Sequence, residues 1–329
     1  MTKKPPKRAA RNSTLRPVPD RPGYYAEIEK ALIRFMRGVY RPIIAELEKV
    51  GVTGVLKNSA SDLIAAIRSG RIHHERGAFR GSFDAAVSRE IKRLGGKWDK
   101  RTGSFKILLK DLPLDVRSEI SVAAARFDQA VTAVKRRLDA IVPEKLSEEL
   151  ALQPLYDRSI YDMNRDINKS LNPLEVEVKI TPETRKKISE EYTNNMKLYI
   201  TDFLEKNIPK LRKDVEEVVL AGYRTDALKK KIQHSYGTSE EKAKFLARQE
   251  SRLLLASYHQ ASMEDAGVDK YIWRCVIATE EHPVRPWHKK HDGKIFSWDN
   301  PPQVNDQGDH KHPMQDYNCR CIAVPYIGD

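Results

Sequence analysis

Apolar side chains return every three or four residues through most of this chain, the spacing of helices that bury one face. Ile28, Leu32, Phe35 and Val39 set the first stripe, and Pro42 either kinks that helix or starts the next one. Ile43, Leu47 and Val50 carry the stripe on to Gly51 and Gly54. Ser61 and Asp62 offer an N-cap for a short helix through Leu63, Ile64 and Ile67, closing near Gly70. The most regular run is Ile120, Ala124, Phe127, Val131, Val134, Leu138 and Ile141, alternating steps of four and three. It predicts a long helix with one apolar seam, packed inside the chain by default or against another subunit. Leu152, Leu155, Ile160 and Met163 predict the next helix, ending near Asn172-Pro173, and Glu175 to Ile180 alternates like a strand. Thr181-Pro182-Glu183 is a helix start, followed by the stripe Ile188, Tyr192, Met196, Tyr199 and Phe203. Val215 to Leu220 and Leu228 to Ile232 continue the helical region, and Ser239 caps a helix through Phe245, Leu253 and Tyr258 that ends near Gly267.

Two regions break the helical rhythm. Residues 71–117 read as hairpin, helix, hairpin: short alternating stretches around Gly77 and Gly81, an apolar series Phe83, Val87, Ile91 and Leu94, then a hairpin turning at Arg101-Thr102-Gly103-Ser104. The last sixty residues alternate strand-like runs, Tyr271 to Ala278, Lys294 to Trp298 and Cys321 to Ile327, with long polar loops. The predicted class is α+β, mainly α-helical. Its segments are a basic arm over 1–22, N-terminal helices over 23–70, a small basic α+β module over 71–117, a long-helix region over 118–240 and a C-terminal module over 241–329.

Charge refines this division. The chain of 329 residues carries a net charge of +13, with 32% charged and 40% hydrophobic residues. Residues 1–22 hold seven basic side chains against Asp20, and residues 71–117 hold twelve against six acidic, whereas residues 271–329 hold seven against eight. An anionic partner is therefore expected at the arm, through Lys3, Lys4, Lys7, Arg8 and Arg11, and at the module, through Arg76, Arg80, Lys97, Lys100 and Arg101. Trp98 and Phe105 either stack on nucleic acid there or form the module's small core. The arm, rich in proline and poor in large apolar residues, is expected to be flexible. No apolar run reaches the roughly 18 to 20 residues of a membrane span, and no signal-peptide core is visible, so the protein is expected to fold in a cytoplasm.

All three cysteines, five of nine histidines and three of four tryptophans lie between Lys270 and the C-terminus. Such a polar, loop-rich module has little core and gains from a staple. His288, His312, Cys319 and Cys321 offer the nitrogen and sulfur ligands of one structural zinc, with His291, His310 or Cys275 as substitutes. The other reading leaves Cys319 and Cys321 flanking a strand start and the histidines as bonded or solvated loop residues. A nuclease or a Cys-His nucleophile is disfavoured: no acidic cluster accompanies the histidines, no basic surplus attends them, and no oxyanion site is visible.

The ordered motifs Ala247-Arg248-Gln249-Glu250, Trp273, His288-x-x-x-Asp292-Gly293 and Asn318-Cys319-Arg320-Cys321 give a closer indication. From about Phe245 to Pro325 the chain resembles the phage head morphogenesis family, minor capsid proteins similar to the F protein of phage Mu. Where many of those proteins have Cys-Pro-x-Cys, this chain has Arg285-Pro286-Trp287-His288. The resemblance implies a structural, non-enzymatic minor capsid protein of a tailed bacteriophage. It would sit in the capsid interior of the virion, with the portal protein, the major capsid or scaffold protein and non-specific double-stranded DNA as partners, no membrane, and self-association through helices. Arg248 or Glu250 is then expected to anchor the C-terminal loops. The competing reading is a non-specific nucleic-acid-binding protein of a mobile element.

Overall fold

The computed structural model describes residues 13–18, 20–51, 61–175, 177–178, 181–220, 225–275 and 283–328. The order of elements is β1 (Ser13–Thr14), α1 (Ala26–Gly51), α2 (Asp62–Arg68), β2 (Ile72–Glu75), β3 (Ala78–Gly81), α3 (Ala85–Arg93), β4 (Lys97–Asp99), β5 (Ser104–Lys106), α4 (Leu114–Asp139), α5 (Pro143–Glu148) and α6 (Gln153–Leu171). It continues with α7 (Pro182–Leu220), α8 (Thr225–Asp265), β6 (Lys270–Arg274), α9 (Pro286–His291), β7 (Ile295–Ser297) and β8 (Ile322–Ile327). The chain is mainly helical with two small antiparallel sheets, the expected α+β class. No helix among the described residues is long and apolar enough to cross a membrane.

Two compact units divide the chain, one of residues 1–33, 148–199 and 242–329, the other of residues 34–147 and 200–241. In the second unit the sheet runs β2-β3-β5-β4. Phe79, Val87, Ile91, Phe105 and Ile107 from the module close on Leu63 and Ile67 from α2, Leu112 just before α4 and Val116 within it. The module thus shares one core with its flanking helices, which its own forty-odd residues are too few to supply alone. Arg76 (φ 47°) and Gly77 (φ 72°) make the two-residue turn of the first hairpin, where both positions need positive φ. The seam of α4 is buried through Phe127, Val131, Val134 and Leu138, so it is spent inside the chain.

In the first unit the sheet runs β1-β8-β6-β7. Its N-terminal edge departs from the expected flexible arm: Ser13 and Thr14 pair with Ile327 and Tyr326, Leu15 and Val18 are buried, and Asp20 bonds Arg252. An edge strand is stabilised by backbone bonds to its neighbour, which composition does not reveal. Residues 1–12, with Lys3, Lys4, Lys7, Arg8 and Arg11, lie outside the described residues. The helix start expected at Ser239 is also absent. α8 continues through Gly237, and the Ser239 hydroxyl donates back to Ser235 O at 2.8 Å, the usual way a serine is accommodated inside a helix. Of the strand expected at 175–180, Glu175 takes a left-handed turn (φ 53°) and Glu177 and Val178 are not in a strand, while 176, 179 and 180 lie outside the described residues.

Candidate metal centre and basic groove

Three segments of the first unit bring donors together. Arg285 and Pro286 open α9, proline fitting the first helical position because its missing N–H would go unbonded there. Three residues apart on that helix, His288 and His291 share its buried face while Lys289 and Lys290 face out. Asp292 and Gly293 end it. Gly293 (φ 79°) donates its N–H to Trp273 O at 2.8 Å, and Asp292 Oδ1 accepts the amide of Cys275 at 2.9 Å, so the turn is bound to the end of β6. From the other side, Cys319-Arg320-Cys321 leads into β8, with Cys319 and Cys321 buried and Arg320 between them less so. Both thiols accordingly point inward, to Nδ1 of His288, at 3.6 Å from Cys319 Sγ and 3.7 Å from Cys321 Sγ.

His288, Cys319 and Cys321 are 2%, 3% and 3% exposed, and their ligand atoms lie within 4.8 Å of one another. This buried group can hold a metal ion. Zinc bonds of about 2.3 Å to sulfur and about 2.0 to 2.1 Å to nitrogen place neighbouring tetrahedral S and N donors about 3.6 Å apart. The observed spacing fits that edge without a shift of any backbone.

The electrostatics favour a charged thiolate. The thiol of Cys321 donates to Cys319, which holds the Cys319 thiol well below its ordinary value against the opposing effect of burial, with His288 assisting. Cys321 is pushed far up by the same bond and by burial, so the pair shares one proton. On the far side of the imidazole, Nε2 of His288 stands 3.3 Å from Asp316 Oδ2, within ion-pair reach but without the alignment of a formed hydrogen bond. Burial would raise the Asp316 carboxyl; Lys311, the Tyr317 amide and Arg285 overcome this and hold it below the usual range. A carboxylate behind the histidine fixes the ring and makes its other nitrogen a better donor to a metal.

Not every expected residue joins this group. His312 lies apart from it, with Nδ1 2.9 Å from the Tyr271 hydroxyl and its ring against Trp298. His291 bonds Gln303 O through Nε2, and His310 bonds Pro301 O through Nδ1. Cys275 does stand alongside, its Sγ 3.6 Å from Cys321 Sγ. Trp273 is fully buried, packed edge-on against His288 and Phe296.

The anchor expected of Arg248 or Glu250 is Gln249 instead: its Oε1 accepts the amide of Asn318 at 2.7 Å, beside the Cys-x-Cys run. Arg248 bonds Lys244 O on its own helix. Glu250 is 4% exposed, and burial with no compensating cation raises its carboxyl from 4.5 to about 7. A spacing of one residue turns a helix by about 100°, so the loop-facing position falls between the two charged ones. Gln249 sits in the polar run Arg248 to Arg252, and nothing in that run marks it as the residue that faces the loop.

In the second unit, the sheet face of the module carries an open groove of about 760 Å³, lined in part by Arg76, Arg80, Lys97, Arg101 and Lys106. Lys106 pairs with Asp99 at 2.9 Å, holding that carboxyl at about 2, and Arg76 lies 3.6 Å from Glu75. Arg80, Lys97 and Arg101 have no carboxylate partner among the described residues, which leaves three uncompensated cations. Lys100 does not line the groove. Of the aromatics, Phe105 is core and Trp98 is 45% exposed, stacked at a tilt on Phe105 with centroids 4.8 Å apart.

Comparison with known proteins adds one family. Residues 209–324 match the family described as Phage Mu protein F like protein. An uncharacterized protein of Haemophilus influenzae is 31% identical over 147 residues, which are 45% of this chain and 31% of that protein. The shared region is therefore under a third of that relative's length. No solved structure matches.

Proposed function

From the premise that residues 209–324 form a Phage Mu protein F-like domain, of a phage head morphogenesis family, we propose that this chain is a structural minor capsid protein of a tailed bacteriophage. It acts inside the procapsid near the portal, assists head assembly and genome packaging or delivery, and touches packaged double-stranded DNA without reading its sequence. The family match carries this reading. The buried donor set supports it: His288, Cys319 and Cys321 have almost no solvent access, as a structural metal site has, and a hydrolytic site would need an open position for water. In this reading the group holds one structural zinc ion, which knits α9 and the β8 approach together, and the chain turns over no substrate.

The three uncompensated cations of the module groove support the DNA contact, since phosphate neutralisation needs lysine and arginine not already paired. Portal protein and major capsid or scaffold protein are the proposed protein partners. The seam of α4 is buried within the chain and is not the surface for self-association.

Purified procapsids and mature heads of a phage or induced prophage encoding this chain test the proposal. Quantitative mass spectrometry should find the chain at a few copies per particle, together with portal protein, and loss of the gene should lower the yield of filled heads. Heads that lack the chain at every stage, with normal filling without the gene, would sink it and favour the mobile-element DNA-binding reading.

A further inference from the structure

The trio of His288, Cys319 and Cys321 leaves one position of a tetrahedral ion without a protein donor. We infer that Cys275 is the fourth ligand, making a closed Cys3His site that binds a thiophilic divalent ion such as zinc. This rests on the metal reading above and adds to it the identity of the last donor.

β6 and β8 pair antiparallel with Trp273 opposite Ala323 and Arg274 opposite Ile322, so one further step places Cys275 opposite Cys321. Their sulfurs are 3.6 Å apart, near the edge of about 3.8 Å that two thiolates make on one zinc ion. The Cys275 backbone is held there by Asp292, which accepts its amide, and Asp292 lies four residues after His288 in the same helix and turn. One short motif thus supplies a ligand and fixes the strand end that carries another.

The competing donors make other contacts. Asp316 lies against Nε2, the far side of the His288 ring from the two thiols. The Nδ1 of His312 faces the Tyr271 hydroxyl. His291 and His310 each spend one ring nitrogen on a backbone carbonyl, of Gln303 and Pro301. The Cys275 thiol faces the carbonyl of His288 at 3.2 Å, a weak partner that a metal bond readily replaces. Turning a cysteine between staggered χ1 wells moves its sulfur by about 3 Å with the backbone still, enough to aim it at the centre of the group.

A closed site also decides what the ion does. Four protein ligands leave no water to activate, so the ion contributes folding energy and no hydrolysis.

The test uses the full chain, purified, loaded with zinc and assayed for metal by mass spectrometry. It should hold one ion per chain. Native iodoacetamide labelling read by peptide mass should leave Cys275 protected in the zinc form and labelled at least tenfold faster after chelation. Replacement by Co2+ should give a three-thiolate charge-transfer intensity that drops to a two-thiolate intensity in Cys275→Ser, with roughly tenfold or greater loss of affinity. Labelling needs no variant, so it stands even where Cys275→Ser folds poorly. Bound metal with Cys275 labelled at the same rate before and after chelation, or an unchanged cobalt spectrum in the variant, would overturn the fourth ligand and leave water in its place. No bound metal at all would overturn the metal reading with it.

Discussion

Replacing Glu250 by Gln should make the unit that carries it more stable at neutral and alkaline pH. Its carboxyl is 4% exposed on α8 near Tyr156 and Tyr192, both of whose hydroxyls are raised chiefly by burial and in part by its charge. Burial alone lifts it from 4.5 to about 7. The folded chain therefore keeps a proton across that interval while the unfolded chain loses it, and stability falls as pH rises through it. Above the folded pKa the whole cost of ionising a buried carboxyl is present, about 3 kcal/mol. Below 4.5 both states are protonated and the cost vanishes. Glutamine keeps shape and polarity without a proton to lose. The difference between variant and parent should thus grow from near zero at pH 4 to about 3 kcal/mol in the variant's favour at pH 8. Trp273, Trp287 and Trp298 share the unit with Glu250 and report its urea unfolding by fluorescence. With a slope of about 2 kcal/mol per molar, the midpoint at pH 8 should rise by about 1.5 M. Parallel pH profiles for the two proteins, or a variant weaker at pH 8, would refute the reasoning and imply a cation near the carboxylate.

Gln249→Ala should cost about 1 to 2 kcal/mol and speed amide exchange at Asn318, because a buried N–H loses its acceptor; exchange no faster than in the parent would count against the anchor. Breaking the Asp20 to Arg252 pair, 2.7 Å apart and mostly buried, should cost about 3 kcal/mol for either Asp20→Asn or Arg252→Ala, and less than the sum for both; strict additivity in the double-mutant cycle would deny the coupling. Removing Arg80, Lys97 and Arg101 together should flatten the slope of log K against log salt for double-stranded DNA by about 3, and an unchanged slope would show that phosphates do not enter the groove.

Helices were legible because burial of one face imposes a period on the sequence. The seam from Phe127 to Leu138, the α3 positions Val87 and Ile91, and the turn at Asp292-Gly293 all stand where periodicity and turn chemistry put them. Local signals mislead where they meet a tertiary contact. Ser239 has the chemistry of an N-cap, yet its hydroxyl also bonds Tyr40 at 2.9 Å and the helix passes through it. The segment before α1 is poor in large apolar residues, yet Ser13 and Thr14 join a strand edge through backbone bonds and Leu15 and Val18 are buried beside it.

The candidate site divides in the same way. Residue types offered His288, Cys319 and Cys321 among the donors, because a donor set is a matter of chemistry. Which histidine stayed out was a matter of space. His312 was as good a ligand on paper, and packing committed it to Tyr271, while the register of β6 against β8 brought Cys275 to Cys321. Composition and spacing act along the chain and are readable from it; register, burial and the choice among equivalent donors arise only when distant segments compete for the same few ångströms.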